Sequence, residues 1–317
     1  MTIHDRAQLL LQAETTLQNA KSQPKKLTAF HTAVTVGVAL VLSLLGVLLH
    51  AGVMDTQGLS GIQTRSLLQT VESVLNLAYS IGTMFWPVGL VFAFMQISRG
   101  KNADRRTLCR GFHRWGPVLR LSILKYLLFV VLAIPCAYVS SSIAMVFSSH
   151  MVEVLEPVVL ALQEDPTADP VELVMALPIK ELLWAMAPML LIFTVLYLGF
   201  AVFLGYRLRF ATYCIVDDPQ MGAIAAMKTS MHMTRDKIKA LFLLDLRFWL
   251  YYLIRFAVSI LGLVDLILNA AGVSLPISNQ LAGFVCYCLY AALILWIDYT
   301  MRPKVETTYA LAYDSLQ

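Results

Sequence analysis

Five stretches of this chain are each long enough to cross a bilayer and contain no Asp, Glu, Lys or Arg: residues 27–54, 73–98, 126–152, 182–206 and 266–297. A helix of about 20 mostly apolar residues traverses roughly 30 Å of hydrocarbon. Lipid offers no partner to an unpaired backbone N–H or C=O, so each stretch is expected to be helical. The remainder of the chain cannot supply a competing soluble core. Only 14% of the 317 residues are charged and 58% are hydrophobic, whereas a soluble domain carries roughly a quarter charged residues.

A sixth segment, 240–264, carries Asp245, Arg247 and Arg255. Each charge costs about 2.5–3.5 kcal/mol at a helix centre, and the many Leu, Ile, Phe and Val residues around them return about 0.3–0.6 kcal/mol each. The two sums nearly cancel, so charge placement decides. With this segment counted as a span, 19 of the 24 Lys and Arg residues fall on one side, in the N-terminal tail, in loops 99–120 and 207–239, and in the C-terminal tail. The positive-inside rule assigns that side to the cytoplasm. The expected fold is therefore all-α, with six spans at about 28–52, 73–98, 121–148, 182–206, 240–264 and 278–299 and both termini cytoplasmic. Residues 1–27 form an N-terminal amphipathic segment that can lie on the membrane surface, and 302–317 a cytoplasmic tail.

The outer segment 150–181 is acidic, and its Asp165-Pro166 and Asp169-Pro170 steps separate two short helical stretches. A solvated face is the ordinary reading of such a run; capture of a cationic peptide is the sharper one. The two basic loops each join neighbouring spans through a short amphipathic helix, which makes a weak span–loop–span repeat. In the second loop Asp218 can cap a helix that Pro219 starts. Both loops can rest on anionic headgroups, where each basic residue contributes about 1 kcal/mol.

Motifs for catalysis are weak. The histidines at 4, 31, 50, 113, 150 and 232 stand at no zinc-ligand spacing, and there is no Gly-rich phosphate loop. Gly262 and Asp265 supply only part of an intramembrane aspartyl protease's Gly-x-Gly-Asp. Ala225-Ala226 superficially matches the coupling helix of ATP-driven permeases but lacks its Glu. The five cysteines have no disulfide or CxxC pattern. No cofactor or metal site is expected, and no nucleic-acid partner.

Ionisable groups inside spans are functional candidates, because each needs a partner or water. Lys125, Asp245, Arg247 and Asp298 fall at one depth, so Arg247 can pair with Asp298 and Lys125 with Asp245. The alternatives are that each snorkels singly to the headgroups, or that together they form an ion-coupled pathway. Arg255 could pair with Glu72 or Asp265. Trp86 and Trp249 read as packing residues.

The stretch Asp217-Asp218-Pro219, Ala226, Ser230 and Phe242 through Phe248 resembles the most recognisable segment of a bacterial integral-membrane family, domain of unknown function 975. Arg99-Gly100 with Gly111-Phe112, and the ending Tyr313-Asp314-Ser315-Leu316, are similar to further parts of it. Asp236 stands where that family usually has glycine. More distantly, the family is similar to the membrane anchor of glycerophosphodiester phosphodiesterases. The resemblance implies a six-span protein of the bacterial cytoplasmic membrane and supplies no activity. A non-enzymatic accessory protein that meets lipids or partner proteins is the resulting expectation, with a transporter or permease subunit as the alternative. Its expected partners are anionic lipid headgroups, and another membrane protein or an ATPase. The expected partner surface comprises Arg105, Arg106, Arg110, Asp217, Pro219, Ser230, Arg235 and Lys237.

Overall fold

The computed structural model describes residues 3–53, 59–147, 149–164, 179–264, 267–268 and 279–317, and they contain helices and turns but no strand. The helices are α1 (Ile3–Asn19), α2 (Pro24–Val53), α3 (Leu59–Ser98), α4 (Arg105–Leu108), α5 (Arg110–His113), α6 (Trp115–Phe147) and α7 (Ser149–Glu164). They continue with α8 (Ile179–Arg207), α9 (Ala211–Asp217), α10 (Ala223–Met233), α11 (Ile238–Asp245), α12 (Trp249–Leu261), α13 (Asn279–Thr300) and α14 (Arg302–Asp314). Among the described residues, five helical segments are long and apolar enough to cross a membrane: Pro24–Gly46, Ser66–Ser98, Trp115–Ala144, Met186–Asp217 and Leu281–Thr300. They coincide with the five charge-free stretches of the sequence. The expected span at 240–264 is not one continuous helix, because a 3-10 turn at Leu246–Phe248 separates α11 from α12.

The chain divides into two compact units, residues 123–208 and the remainder. In the smaller unit α7 packs on α8. α7 runs through Pro157 as one helix and ends at Glu164. The expected Asp165-Pro166 and Asp169-Pro170 breaks lie outside the described residues.

In the larger unit, α2, α3 and α13 pack side by side, with α12 against α13. At one end of this group α14 sits among α1, α2, α3 and α13. Residues 302–317 are therefore no loose tail: Val305, Thr308, Tyr309, Ala312 and Tyr313 are all buried. α1 is likewise no free surface helix. Leu9 and Ala13 are buried, and α1 packs on α14 and α3.

Two glycines allow the first loop to fold onto α3. A Cβ at Gly89 would stand 1.8 Å from the Leu108 carbonyl oxygen, and one at Gly111 would stand 2.3 Å from the Phe85 oxygen. Only the missing side chains let these backbones approach so closely. α3 itself ends at Gly100, whose φ of +71° lets the amides of Gly100 and Lys101 reach back to Ile97 O (3.0 Å) and Gln96 O (2.8 Å). The second loop is built differently, so the two loops do not repeat one another. Asp218 accepts the Gln220 amide at 2.9 Å in a turn, and α10 starts later than expected, at Ala223 with Gly222 before it. Ala226 and Ser230 are fully buried, and Ser230 Oγ accepts the Phe210 amide at 3.2 Å, which ties α10 to α9.

Segment 238–261 explains how its charges are accommodated. Leu241, Leu244, Phe248 and Tyr251 recur every three or four residues and are buried. Asp245 and Arg255 are partly covered beside that stripe. Phe242, Leu246, Trp249, Leu253, Phe256 and Ile260 face outward. Trp249 is thus exposed on the apolar face rather than packed inside.

Candidate functional site

Two groups of polar side chains stand out in the larger unit. The first gathers both loops and the C-terminal helix. Arg99, just past α3, bridges Asp217 Oδ1 at 2.5 Å and Asp314 Oδ1 at 2.7 Å. The carboxylates of Asp217 and Asp314 hold its guanidinium above the ordinary range. Tyr313 Oη and Gln317 Nε2 donate to the other oxygen of Asp217, at 3.4 and 2.6 Å. Arg114 donates to the carbonyl oxygens of Ile215 (2.9 Å) and Asp218 (3.3 Å). It thereby satisfies acceptors that the end of α9 leaves open.

These contacts frame a cavity of about 660 Å³. Arg106, Arg110, Arg114 and His113 line it together with Val88, Phe92, Val118, Asp217 and Pro219. Arg110 lies over the Phe92 ring, 4.8 Å from its centroid. Of the residues expected at a partner surface, Arg106, Arg110, Asp217 and Pro219 line this cavity. Arg105 lies instead over Phe30, 5.1 Å from the ring centroid. Ser230 is a buried packing residue, and Arg235 is exposed away from the cavity lining. Lys237 is half-buried and does not line it either. Arg99 entered the sequence reading only through the resemblance of Arg99-Gly100, and His113 and Arg114 escaped it, since nothing local distinguishes them from other loop residues.

The second group surrounds Asp298, which is completely buried. Its Oδ1 accepts from Arg255 Nη1 (2.6 Å) and Tyr251 Oη (3.0 Å), and its Oδ2 from Thr32 Oγ1 (2.7 Å) and Arg302 Nη1 (2.9 Å). Arg247 is not its partner: that side chain is exposed, whereas Arg255 lies two helical turns further along, on the same side as Tyr251. Arg255 therefore finds Asp298 rather than Glu72, and Asp265 lies outside the described residues. Asp245 is held by Arg209 at 2.5 Å, whose guanidinium also covers the Tyr309 ring at 3.9 Å from its centroid. Lys125 belongs to the smaller unit. The Asp298–Arg302 contact could have been found from the sequence, because residues four apart on a helix face each other.

Beside Asp298 lies a smaller cavity of about 160 Å³, lined among others by His31, Thr35, Trp86, Arg255 and Arg302. His31 stacks on Trp86 with ring centroids 5.4 Å apart, and Trp86 Nε1 donates to the His31 carbonyl oxygen at 3.0 Å. Among the described residues, no group of three or more His, Cys, Asp or Glu is placed to hold a metal ion.

No protein-family model, curated protein or solved structure matches this chain.

Proposed function

We propose that this chain is a non-enzymatic, multi-pass protein of a bacterial cytoplasmic membrane that holds anionic lipid headgroups at its cytoplasmic face. One observation carries the reading: three arginines and a histidine share the lining of a 660 Å³ cavity with Val88, Phe92 and Val118. That mixture suits an amphiphile, whose phosphate the guanidiniums would meet with forked donors and whose glycerol and upper acyl atoms the apolar side chains would meet. The excess of basic residues in the tails and loops supports an orientation with the same end of the bundle at the negatively charged leaflet.

A sixth crossing at 238–261 belongs to this reading. Its support is that α1, before the first span, packs on α14, after the last. Five crossings would put those two helices on opposite sides of the bilayer. The family resemblance is likewise proposed. In its favour, the residues that carry it converge: Arg99 meets Asp217 and Asp314, Gly111 meets α3, and Ser230 locks α10 to α9.

The test is lipid retention. After purification in mild detergent, the wild type should keep phosphatidylglycerol or cardiolipin in preference to zwitterionic lipid. Replacing two basic residues removes about 2 kcal/mol of headgroup attraction, so R106Q/R110Q should weaken retention roughly 30-fold. Equal retention by both proteins would end the proposal. A second reading, a transporter or permease subunit for a lipid, peptide or small molecule, rests on the charged cavity beside Asp298. A stoichiometric ATPase co-purifying with the chain would favour it.

A further inference from the structure

The small cavity beside Asp298 has donors with nothing to donate to. Arg302 Nη1 lies 3.4 Å from His31 Nδ1. A guanidinium can only donate, so Nδ1 is the acceptor and the ring proton sits on Nε2. That Nε2–H is buried, has no hydrogen-bond partner, and belongs to a side chain only 3% exposed. A buried donor left unmatched costs about 1–3 kcal/mol. It also belongs to a ring whose orientation Trp86 and Arg302 fix.

The guanidiniums point the same way. Arg255 makes its bonds to Asp298 and Tyr251 through Nη1. Arg302 makes its bonds to Asp298, Thr32 and His31 through Nη1, and meets Glu306 through Nε. Each guanidinium has five N–H groups, so both keep donors beyond these contacts. The threonine hydroxyls of the lining already give their protons elsewhere: Thr32 to Asp298, Thr35 to the His31 carbonyl and Thr83 to the Ser80 carbonyl. The single acid in the wall, Asp298, has both oxygens engaged. The walls therefore hold two positive charges, one fully committed negative charge and an orphaned N–H. Glu306 touches Arg302 from outside the cavity lining and is itself partly exposed.

We propose that this cavity is a binding site for a small monovalent anion of the halide or short-carboxylate class, held by His31 Nε2–H and the guanidiniums of Arg255 and Arg302. Its 160 Å³ suits such an anion with a few waters, each water taking about 30 Å³, and excludes a phospholipid headgroup. The site is separate from the arginine-lined cavity above and does not rest on lipid binding.

Chloride is the probe. Purified protein is melted in chloride and in gluconate at equal ionic strength, and the 35Cl NMR linewidth is followed as bromide is added. The expected result is a saturable rise in melting midpoint of about 2–4 °C in chloride, with excess linewidth that bromide removes. H31L should lose both effects, while H31Q, which keeps an N–H donor, should retain part of them. R106Q/R110Q should retain both in full, which separates this site from the surface arginines. If H31L does not fold, the wild-type bromide competition in the R106Q/R110Q background decides alone. Identical melting in the two salts, or linewidth that bromide leaves unchanged, would show that the cavity holds only water and would overturn the proposal.

Discussion

Asp298 is the residue on which the interior of the larger unit turns, because one carboxylate pairs with two guanidiniums from different helices. Removing one partner from a buried ion pair leaves an uncompensated charge and costs about 3–5 kcal/mol. D298N keeps the volume and removes the charge. It should lower the unfolding free energy in detergent by that amount, as measured by denaturant titration of Trp fluorescence. R247Q, at an exposed position, should stay within about 0.5 kcal/mol of wild type. The charge reversal R247D/D298R should accordingly fail to rescue D298R, and rescue would mean that Arg247 is the partner after all. Sequence reasoning singled out Asp298 and Asp245 correctly as groups needing partners, since a charge in an apolar run is conspicuous. It paired Asp298 with Arg247 instead of Arg255 and Arg302, because the choice depends on which face of 238–261 turns inward.

At the level of elements, close approach matters more than composition. The sequence marks Gly111-Phe112 as recognisable, yet says nothing about Gly89, which lies within an ordinary apolar run. The two meet because α4 and α5 fold back onto α3 with backbone against backbone. G89A should therefore cost the upper part of, or more than, the roughly 1–3 kcal/mol of ordinary overpacking. G37A, whose Cβ would meet nothing within 4 Å, should be neutral or stabilising by up to about 1 kcal/mol through helix propensity. Thermal melts of the two variants side by side separate these outcomes. The C-terminal helix gives a second element-scale prediction. Deleting residues 302–317 removes Arg302 from Asp298, Tyr309 from Arg209 and Asp314 from Arg99. Membrane-inserted yield should fall at least several-fold, whereas removal of an unstructured tail would leave it unchanged.

For the whole molecule, the question is how many times the chain crosses the bilayer. α1 and α14 pack together, so six crossings place both ends on one side. Green fluorescent protein fused at Gln317 should fluoresce in cells, and alkaline phosphatase fused there should be inactive. The opposite pattern would reduce the count to five and turn segment 238–261 into a structure lying along one face. That segment carries an outward apolar stripe from Phe242 to Ile260 and an inward one from Leu241 to Tyr251, broken by a 3-10 turn at Leu246–Phe248. Hydropathy averages the two faces and the turn together, which is why the sums alone could not settle it.

What the sequence by itself determined was the solvent of this protein. Long uncharged stretches can satisfy their backbones in lipid only as helices, and all five such stretches are helical where the structure describes them. The tertiary structure alone decided which charges meet, that one face of the last 16 residues is buried, and that two unpartnered-looking loops enclose a basic cavity. Those outcomes depend on helix rotation and on contacts between residues as far as 290 positions apart, such as the side-chain pair of Glu14 and Lys304. Local propensity and hydropathy carry no information about either.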